Sequence, residues 1–245
     1  MIKKLEQISY NAWPGLKTIV YDGWILRLSD GVTRRANSIN PIFESTIDTN
    51  IKIDFCETLF RENHLPVIYK MTSQTHPHDL DFILEDKGYI FDAETSVQVL
   101  QLEKTKLQNV SDKIQIKETL DENWLDRFLM FNGYDIKKKT GFENIMRHIA
   151  LKTGFLDFKI DGKSVGCGLG VIEGNFIGLF DIVIAPDYKG QGYGKQLIES
   201  LLDWGRINGC KTEYLQVMTN NSIAQNLYKK IGFEEVYKYW YRIKK

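Results

Sequence analysis

Residues 182–194 read Ile-Val-Ile-Ala-Pro-Asp-Tyr-Lys-Gly-Gln-Gly-Tyr-Gly, and residues 195–204 continue as Lys-Gln-Leu-Ile-Glu-Ser-Leu-Leu-Asp-Trp. An apolar strand runs into a glycine-rich turn and then into a helix. That arrangement suits an anion. Glycine reaches φ > 0 and lets a ligand approach the backbone closely. The first helical turn adds N–H groups without intrahelical partners and the positive end of the dipole. Lys189 and Lys195 place cationic charge at the two edges. A diphosphate here would be held mainly by backbone amides. Spacing excludes two common phosphate loops. A Walker loop requires Gly-Lys-Ser/Thr, whereas Gly194 is followed by Lys195-Gln196. A dinucleotide fingerprint requires G-x-G-x-x-G, whereas Gly190, Gly192 and Gly194 fall at every second position. Just upstream, Asp181 lies between Phe180 and Ile182, an apolar setting that raises a carboxyl pKa. Strand alternation places it on the side of Val183.

A second segment, Asn221-Ser-Ile-Ala-Gln-Asn-Leu-Tyr-Lys-Lys-Ile-Gly-Phe233, carries a phenol, Tyr228. Asn221 or Ser222 suits an N-cap, and Ile223, Leu227 and Ile231 recur at helical spacing on one apolar face. Ala224 and Tyr228 share the neighbouring face. Gly232 stops the helix. The strands 212–218 and 236–243 flank it.

Lys189-Gly-Gln-Gly-Tyr-Gly194 follows a basic/Gln-x-x-Gly-x-Gly pattern, and residues 221–233 follow N-x-x-A-x-x-L-Y-x-x-x-G-F. The two motifs, in this order and spacing, resemble the GNAT superfamily of N-acetyltransferases. The resemblance implies acetyl-CoA as cosubstrate, bound between parallel strands that splay apart around 179–185 and 212–218. It implies that the backbone of Ile182, Val183 and Ile184 pairs with the pantetheine amides. Lys189, Gly190, Gln191, Gly192, Tyr193, Gly194 and Lys195 would hold the pyrophosphate, and Asn221 and Ala224 would lie along the cofactor arm. Tyr228 would sit near the thioester sulfur and protonate the departing thiolate; otherwise it is a core tyrosine with a satisfied hydroxyl. The family places Arg or Gln where Lys189 stands, so the planar donor fork is lost while the charge remains. Candidates for the base are Asp181 and, in the preceding hairpin, Glu173. The reading from another class is a CoA-binding sensor or scaffold without turnover.

The elements that must position these residues are readable. A strand at 113–117 precedes helices at about 121–131, with Asp121 as N-cap, and through 143–150. Strands follow at about 154–160 and 164–172 around the turn Asp161-Gly162, then at 176–185. In the front half, strands are expected at 16–21, 24–28 and 33–39, with turns at Asp22-Gly23 and Asp30-Gly31. A helix near 50–62 carries Ile53, Cys56, Leu59 and Phe60 on one face. A strand at 66–71, a helix at 78–86 and a strand at 94–102 complete it. Leu80 to Tyr89 ends as Ala224 to Phe233 does: helix, glycine stop, aromatic, strand. The chain therefore reads as α+β, with tandem GNAT-like domains of mixed, mostly antiparallel sheet flanked by helices. Residues 1–105 form a degenerate copy and 106–245 the catalytic domain. The front loop, residues 40–49, has no glycine and carries Glu44 and Asp48, which repel a pyrophosphate; Leu84 stands where Tyr228 falls. Arg34 and Arg35, adjacent on the expected strand, face opposite sides, so one is buried. With Trp24 and Asn37 they are candidates for an acceptor pocket, an interdomain contact or a structural ion pair.

Composition bounds the rest. Of 245 residues, 43% are hydrophobic and 26% charged, enough for a proper core. Lys+Arg and Asp+Glu are 32 each, which argues against nucleic acid as a partner. Cys56, Cys167 and Cys210 are scattered without metal spacing, and His76-Pro77-His78 lacks further ligands, so no metal is expected. The cysteine usage, the lack of a signal-peptide pattern and the lack of a membrane-length apolar run imply a cytoplasmic protein without a membrane partner. A small-molecule or peptide amine is the expected acceptor. The tandem fold favours a monomer.

Overall fold

The computed structural model describes residues 1–104 and 113–244. The chain order is α1 (Ile2–Ala12), β1 (Lys17–Tyr21), β2 (Trp24–Leu28), β3 (Ser38–Pro41), α2 (Thr49–Glu62), β4 (Val67–Thr72), α3 (Leu80–Asp86) and β5 (Ile90–Gln101). After the undescribed stretch come β6 (Ile114–Lys117), α4 (Glu122–Asn132), α5 (Lys139–Arg147), β7 (Lys152–Ile160), β8 (Lys163–Glu173) and β9 (Phe176–Ile184). The chain closes with α6 (Tyr193–Ile207), β10 (Thr212–Met218), α7 (Ser222–Ile231) and β11 (Glu234–Lys244). Among the described residues no helix is long and apolar enough to cross a membrane.

The chain divides into two compact units: residues 1–97 with 217–221 and 235–245, and residues 98–216 with 222–234. A single cut after residue 105 is therefore not what the structure shows, and that point itself lies outside the described residues. The last strand, β11, belongs to the first unit, where it pairs antiparallel with β4 from Tyr239↔Thr72 to Lys244↔Val67. The neighbour of β10 is β5, whose residues 98–101 belong to the second unit. Each copy thus uses, beside its last parallel strand, the closing strand that follows the other copy's last helix.

Both copies share one succession: antiparallel strands, a parallel step over a helix (β3 to β4 over α2, β9 to β10 over α6), a helix and a strand. The helix stops also match. Tyr89 N–H reaches Leu84 O at 2.9 Å, and Phe233 N–H reaches Tyr228 O at 3.0 Å. Gly88 and Gly232 both take positive φ there, as a left-handed helix stop requires. Leu84 and Tyr228 are therefore structural counterparts.

The first unit packs α2 and α3 on the strands through Trp24, Leu26, Ile39, Ile53, Cys56, Phe60, Tyr69 and Leu84. Asp22-Gly23 makes the expected two-residue turn, both at positive φ. The expected strand at 33–39 is instead a 3-10 turn at Arg34–Ala36 followed by β3. Thr33 caps that turn by accepting from Ala36 N–H, which draws the backbone out of extended geometry. Neither Arg34 nor Arg35 is the buried arginine. The buried arginines among the described residues are Arg242 and Arg27, and Arg27 donates to the carbonyls of Arg35, Tyr10 and Trp13. Burial lowers its pKa to about 10.

β11 is tied into this unit by polar bonds as well as by pairing. Arg242 Nη2 meets Asp81 at 2.8 Å, Trp240 Nε1 donates to the same carboxylate at 2.8 Å, and the Tyr237 hydroxyl donates to buried Glu6. A fragment of residues 1–104 lacks this strand. It is expected to show no cooperative thermal transition by circular dichroism, whereas the same fragment carrying residues 233–245 on a glycine-rich linker melts cooperatively. Cooperative melting of the shorter fragment contradicts the assignment.

Candidate active site

In the second unit the site is built on one irregularity. β8 and β9 pair Leu169↔Phe180 but then Cys167↔Val183, so β9 carries one extra residue. Asp181 sits in this bulge at φ 52°, unusual for a residue other than glycine. Alternation fails at a bulge, so the expected placement of Asp181 beside Val183 does not follow from strand period. β9 and β10 are parallel and pair only from Phe176↔Thr212 to Leu179↔Leu215. Beyond that point β9 runs on to Ile184 and, among the described residues, pairs no further with β10. Burial follows the split: β9 is buried from Ile177 to Phe180 and half-exposed from Asp181 to Ile184. Ile184 and Val183 remain paired with β8 through Gly166 and Cys167. Their other edge faces the gap.

The glycine turn follows directly. Gly190 and Gly192 take φ of 77° and 82°, which only glycine adopts readily, and a Cβ at either would meet open space. Gly192 is the N-cap of α6, with no side chain capping the helix. Lys195 N–H already meets Gly192 O at 3.2 Å, so among the described residues it is the N–H groups of Tyr193 and Gly194 that are left to an outside partner. Gly194 lies inside the first turn, where a Cβ would come within 3.4 Å of Leu227. Tyr193 is packed edge-on against Phe158 at 5.3 Å, so its ring anchors the loop. Lys189 and Gln191 are exposed, and Gln191 reaches only the Asp187 carbonyl at 3.3 Å. Lys195 pairs with Glu199 at 3.5 Å on the helix surface.

A glycine stripe sets where α6 lies. Gly166, Gly168 and Gly170 of β8 present one face to α6, as does Gly154 of β7. A Cβ at Gly168 would stand 2.8 Å from Leu197, and one at Gly170 3.1 Å from Trp204. The helix therefore seats close to the sheet, with its N-terminus at the open end of β9. The alternation Gly166-Cys-Gly-Leu-Gly170 was the signal for this contact, and sequence reasoning passed over it.

Helix α7 supplies the phenol. Ala224, Leu227, Tyr228 and Ile231 are half-buried, no residue of α7 is fully buried, and Ile223 is 83% exposed. The expected apolar face is therefore shorter than its spacing suggested. Asn221 precedes the helix, with its backbone N–H bonded to Met218 O at 3.0 Å. The Tyr228 ring meets Phe233 at 5.7 Å. Burial first, and then the charge of Glu213, raise its pKa to about 12. The phenol stays protonated at neutral pH. Glu173 ends β8 in the hairpin before β9, a full strand from the glycine turn, so it is not brought to the site.

Glu213 is the member that sequence reasoning missed. It lies in β10 opposite Ile177, whose side chain packs on Gly205 of α6. It is fully buried, and among the described residues neither carboxyl oxygen has a hydrogen-bond partner. Burial raises its pKa well above the ordinary range, with Arg206 opposing only in part. The signal was available: Glu213 alternates with Leu215 and Val217 on an otherwise apolar strand face.

The corresponding places of the first unit are closed by its own side chains. Asp48 caps α2, accepting from Asn50 N–H at 2.9 Å and Ile51 N–H at 3.3 Å. Asp22 accepts from Thr46 and Ile47 N–H at 2.9 and 2.8 Å. Led by the Ile47 N–H, these bonds hold its pKa at about 2. The protein's own carboxylates thus occupy the backbone donors. β3 and β4 pair only at Ile39↔Tyr69, and beyond it the chain fills the split. Glu6 of α1 meets Lys70 at 2.7 Å, and His76 N–H bonds to Pro41 O at 2.9 Å.

This geometry defines a GNAT fold in each copy, with one copy open at its glycine turn. Over residues 1–242 the chain matches the family described as "Probable histone acetyltransferase Rv0428c C-terminal". The chain belongs to this family, within the GNAT superfamily of N-acetyltransferases. It is 28% identical over 249 residues to the uncharacterized N-acetyltransferase YobR of Bacillus subtilis (strain 168), covering 100% of this chain and 99% of that one. Its fold is similar to a GCN5-related N-acetyltransferase from Kribbella flavida, with TM-score 0.71, 12% identity, and 97% and 94% of the two chains covered. It is also similar to a tandem GNAT protein from the clavulanic acid biosynthesis pathway, with TM-score 0.65, 11% identity, and 98% and 87% covered. The chain is thus an enzyme of the GNAT N-acetyltransferase type with a tandem α+β fold.

The folded chain holds the Glu213 proton more tightly than the unfolded chain does. Between the ordinary glutamate value of about 4.3 and the raised one, the native state binds more protons, so stability falls as pH rises. Glu213→Gln removes this dependence. The variant is expected to melt above the wild type at about pH 8, the difference shrinking towards about pH 4. An equal or lower melting temperature at the higher pH contradicts a protonated, buried Glu213.

Proposed function

We propose that the chain moves an acetyl group from acetyl-CoA to a primary amine by direct attack. The observation that carries this reading is the convergence, within one unit, of the β9/β10 split, the uncapped N-terminus of α6 and the half-buried Tyr228. The edge of Ile182, Val183 and Ile184 takes the pantetheine amides as an added strand would. The N–H groups from Gly190 to Gly194 take the pyrophosphate, with Lys189 and Lys195 as cations beside them. Ala224 lies along the arm.

The amine nitrogen attacks the thioester carbonyl carbon, the carbon–sulfur bond breaks, and an amide and a thiolate result. The amine proton passes to Asp181, directly or through water. Asp181 lies in the bulge at the point where β9 stops pairing with β10, which supports it over Glu173. The Tyr228 hydroxyl donates a hydrogen bond to the sulfur, and the thiolate takes up its proton from solvent. With a pKa of about 12 this phenol is a weaker acid than a thiol, so its main effect is a hydrogen bond to the sulfur as charge develops there. Holding amine and thioester in one cleft supplies the remainder. The acceptor is a small-molecule or peptide amine, and the protein works as a cytoplasmic enzyme.

Release of CoA thiol in the presence of a panel of primary amines tests the chemistry. Tyr228→Phe is expected to lower turnover by about 10²-fold or more while acetyl-CoA affinity stays the same. Asp181→Asn is expected to lower turnover while acetyl-CoA binding stays the same. Binding of acetyl-CoA without thiol release for any amine contradicts the enzymatic reading and leaves a CoA-binding sensor or scaffold.

A further inference from the structure

The first unit has closed its counterpart of the cofactor cleft, yet it keeps a cavity elsewhere. This cavity of about 660 Å³ is lined by the segment Gly31–Arg34, the start of β4 and the start of β5. Its size lies within the usual range for small-molecule sites, about 300–1,000 Å³. Pro66, Ile68, Ile90 and Phe91 supply apolar wall. Ile90 and Phe91 are 55% and 54% exposed, adjacent at the head of one strand. Adjacent exposed apolar residues of this size are uncommon on a surface without a role.

The same cavity is lined by one pair of opposite charges. Arg34 Nη2 stands 2.7 Å from Asp92 Oδ2, and the two side chains are 41% and 40% exposed. An ion pair this open contributes at most about 1 kcal/mol, so parting it for other partners costs little. Arg34 also lies over the Tyr241 ring at 5.6 Å, which keeps the guanidinium in place when the carboxylate is engaged elsewhere.

We infer that this cavity binds a free α-amino acid with an apolar side chain. The ligand's carboxylate meets Arg34, its ammonium meets Asp92, and its side chain lies against Ile68, Ile90 and Phe91. An α-amino acid carries its two charges a few ångströms apart on one carbon, so a single ligand engages both members of the pair. An anion alone leaves Asp92 facing it without compensation, and a cation alone does the same to Arg34. An uncharged apolar ligand uses the wall but leaves the pair as it is. The planar guanidinium fork suits a carboxylate in two-point contact. This site is separate from the glycine turn of the second unit, and it does not depend on the acetyl-transfer reading.

Titration calorimetry of the full chain with L-phenylalanine and L-leucine tests it, alongside their N-acetyl and amide forms. The zwitterions are expected to bind saturably at millimolar concentration or below, and each blocked form to bind at least about tenfold more weakly. Arg34→Gln and Asp92→Asn are expected to weaken the zwitterion by a similar factor while the melting temperature and acetyl-CoA binding stay unchanged. Ile90→Trp, at an exposed position, fills the cavity and abolishes binding without touching the charges. The inference is overturned if neither amino acid binds, if the blocked forms bind as well as the zwitterions, or if the charge variants bind as the wild type does.

Discussion

One extra residue in β9 sets the conditions for the rest of the second unit. A regular strand would keep β9 hydrogen-bonded to β10 along its whole length. The bulge at Asp181 shifts the register with β8 and turns the strand, and pairing with β10 stops at Leu179↔Leu215. Backbone donors and acceptors beyond that point then lack a protein strand on one side. Buried backbone groups without partners are costly, so a split of this kind persists only at an edge open to solvent or to a ligand. The positive φ of Asp181 is a local strain that the surrounding sheet imposes. The glycine stripe of β7 and β8 completes the device by seating α6 so that its N-terminus opens at the same end.

The two copies show how one succession of elements is kept open or closed by few side chains. In the second unit α6 has a glycine N-cap and no capping side chain. In the first, Asp48 and Asp22 accept from the corresponding backbone N–H groups. A carboxylate at a helix N-terminus is favourable there for the same reason a phosphate is. In the first copy these N–H groups are thus met by an internal anion, which fixes the loop. Its parallel pair is likewise filled, by the buried Glu6–Lys70 bridge. Burying such a pair is costly unless its remaining bonds are met, and here the Tyr10 and Tyr237 hydroxyls meet them at Glu6.

What the sequence made legible was local. The glycine turn, the α7 motif, the Asp121 cap and the Asp22-Gly23 hairpin all depend on neighbours in the chain, and they stand where their residues pointed. So does the likeness of the two helix stops, which matched Leu84 with Tyr228 before any coordinates. What failed depended on distant pairing. The use of β11 by the first unit is decided by contacts between residues 67–72 and 239–244, which no periodicity encodes. Residues 33–39 alternate like a strand, but the Thr33 cap won locally. The helix α1 was not read at all. Ile223 fits the helical spacing of an apolar face, yet among the described residues it stands 83% exposed. The bulge itself left no mark in residue type, since Asp181 sits in an ordinary apolar strand sequence.

The central claim is that one copy binds an anionic cofactor through its open glycine turn and the other does not. Titration calorimetry with acetyl-CoA, on the wild type and on Gly192→Glu, tests it most directly. Gly192 needs positive φ and faces open space, so the substitution strains the turn and aims a carboxylate where the pyrophosphate would lie. The account predicts one equivalent bound per wild-type chain and none by the variant. No binding by the wild type, a second equivalent, or undiminished binding by the variant would contradict it.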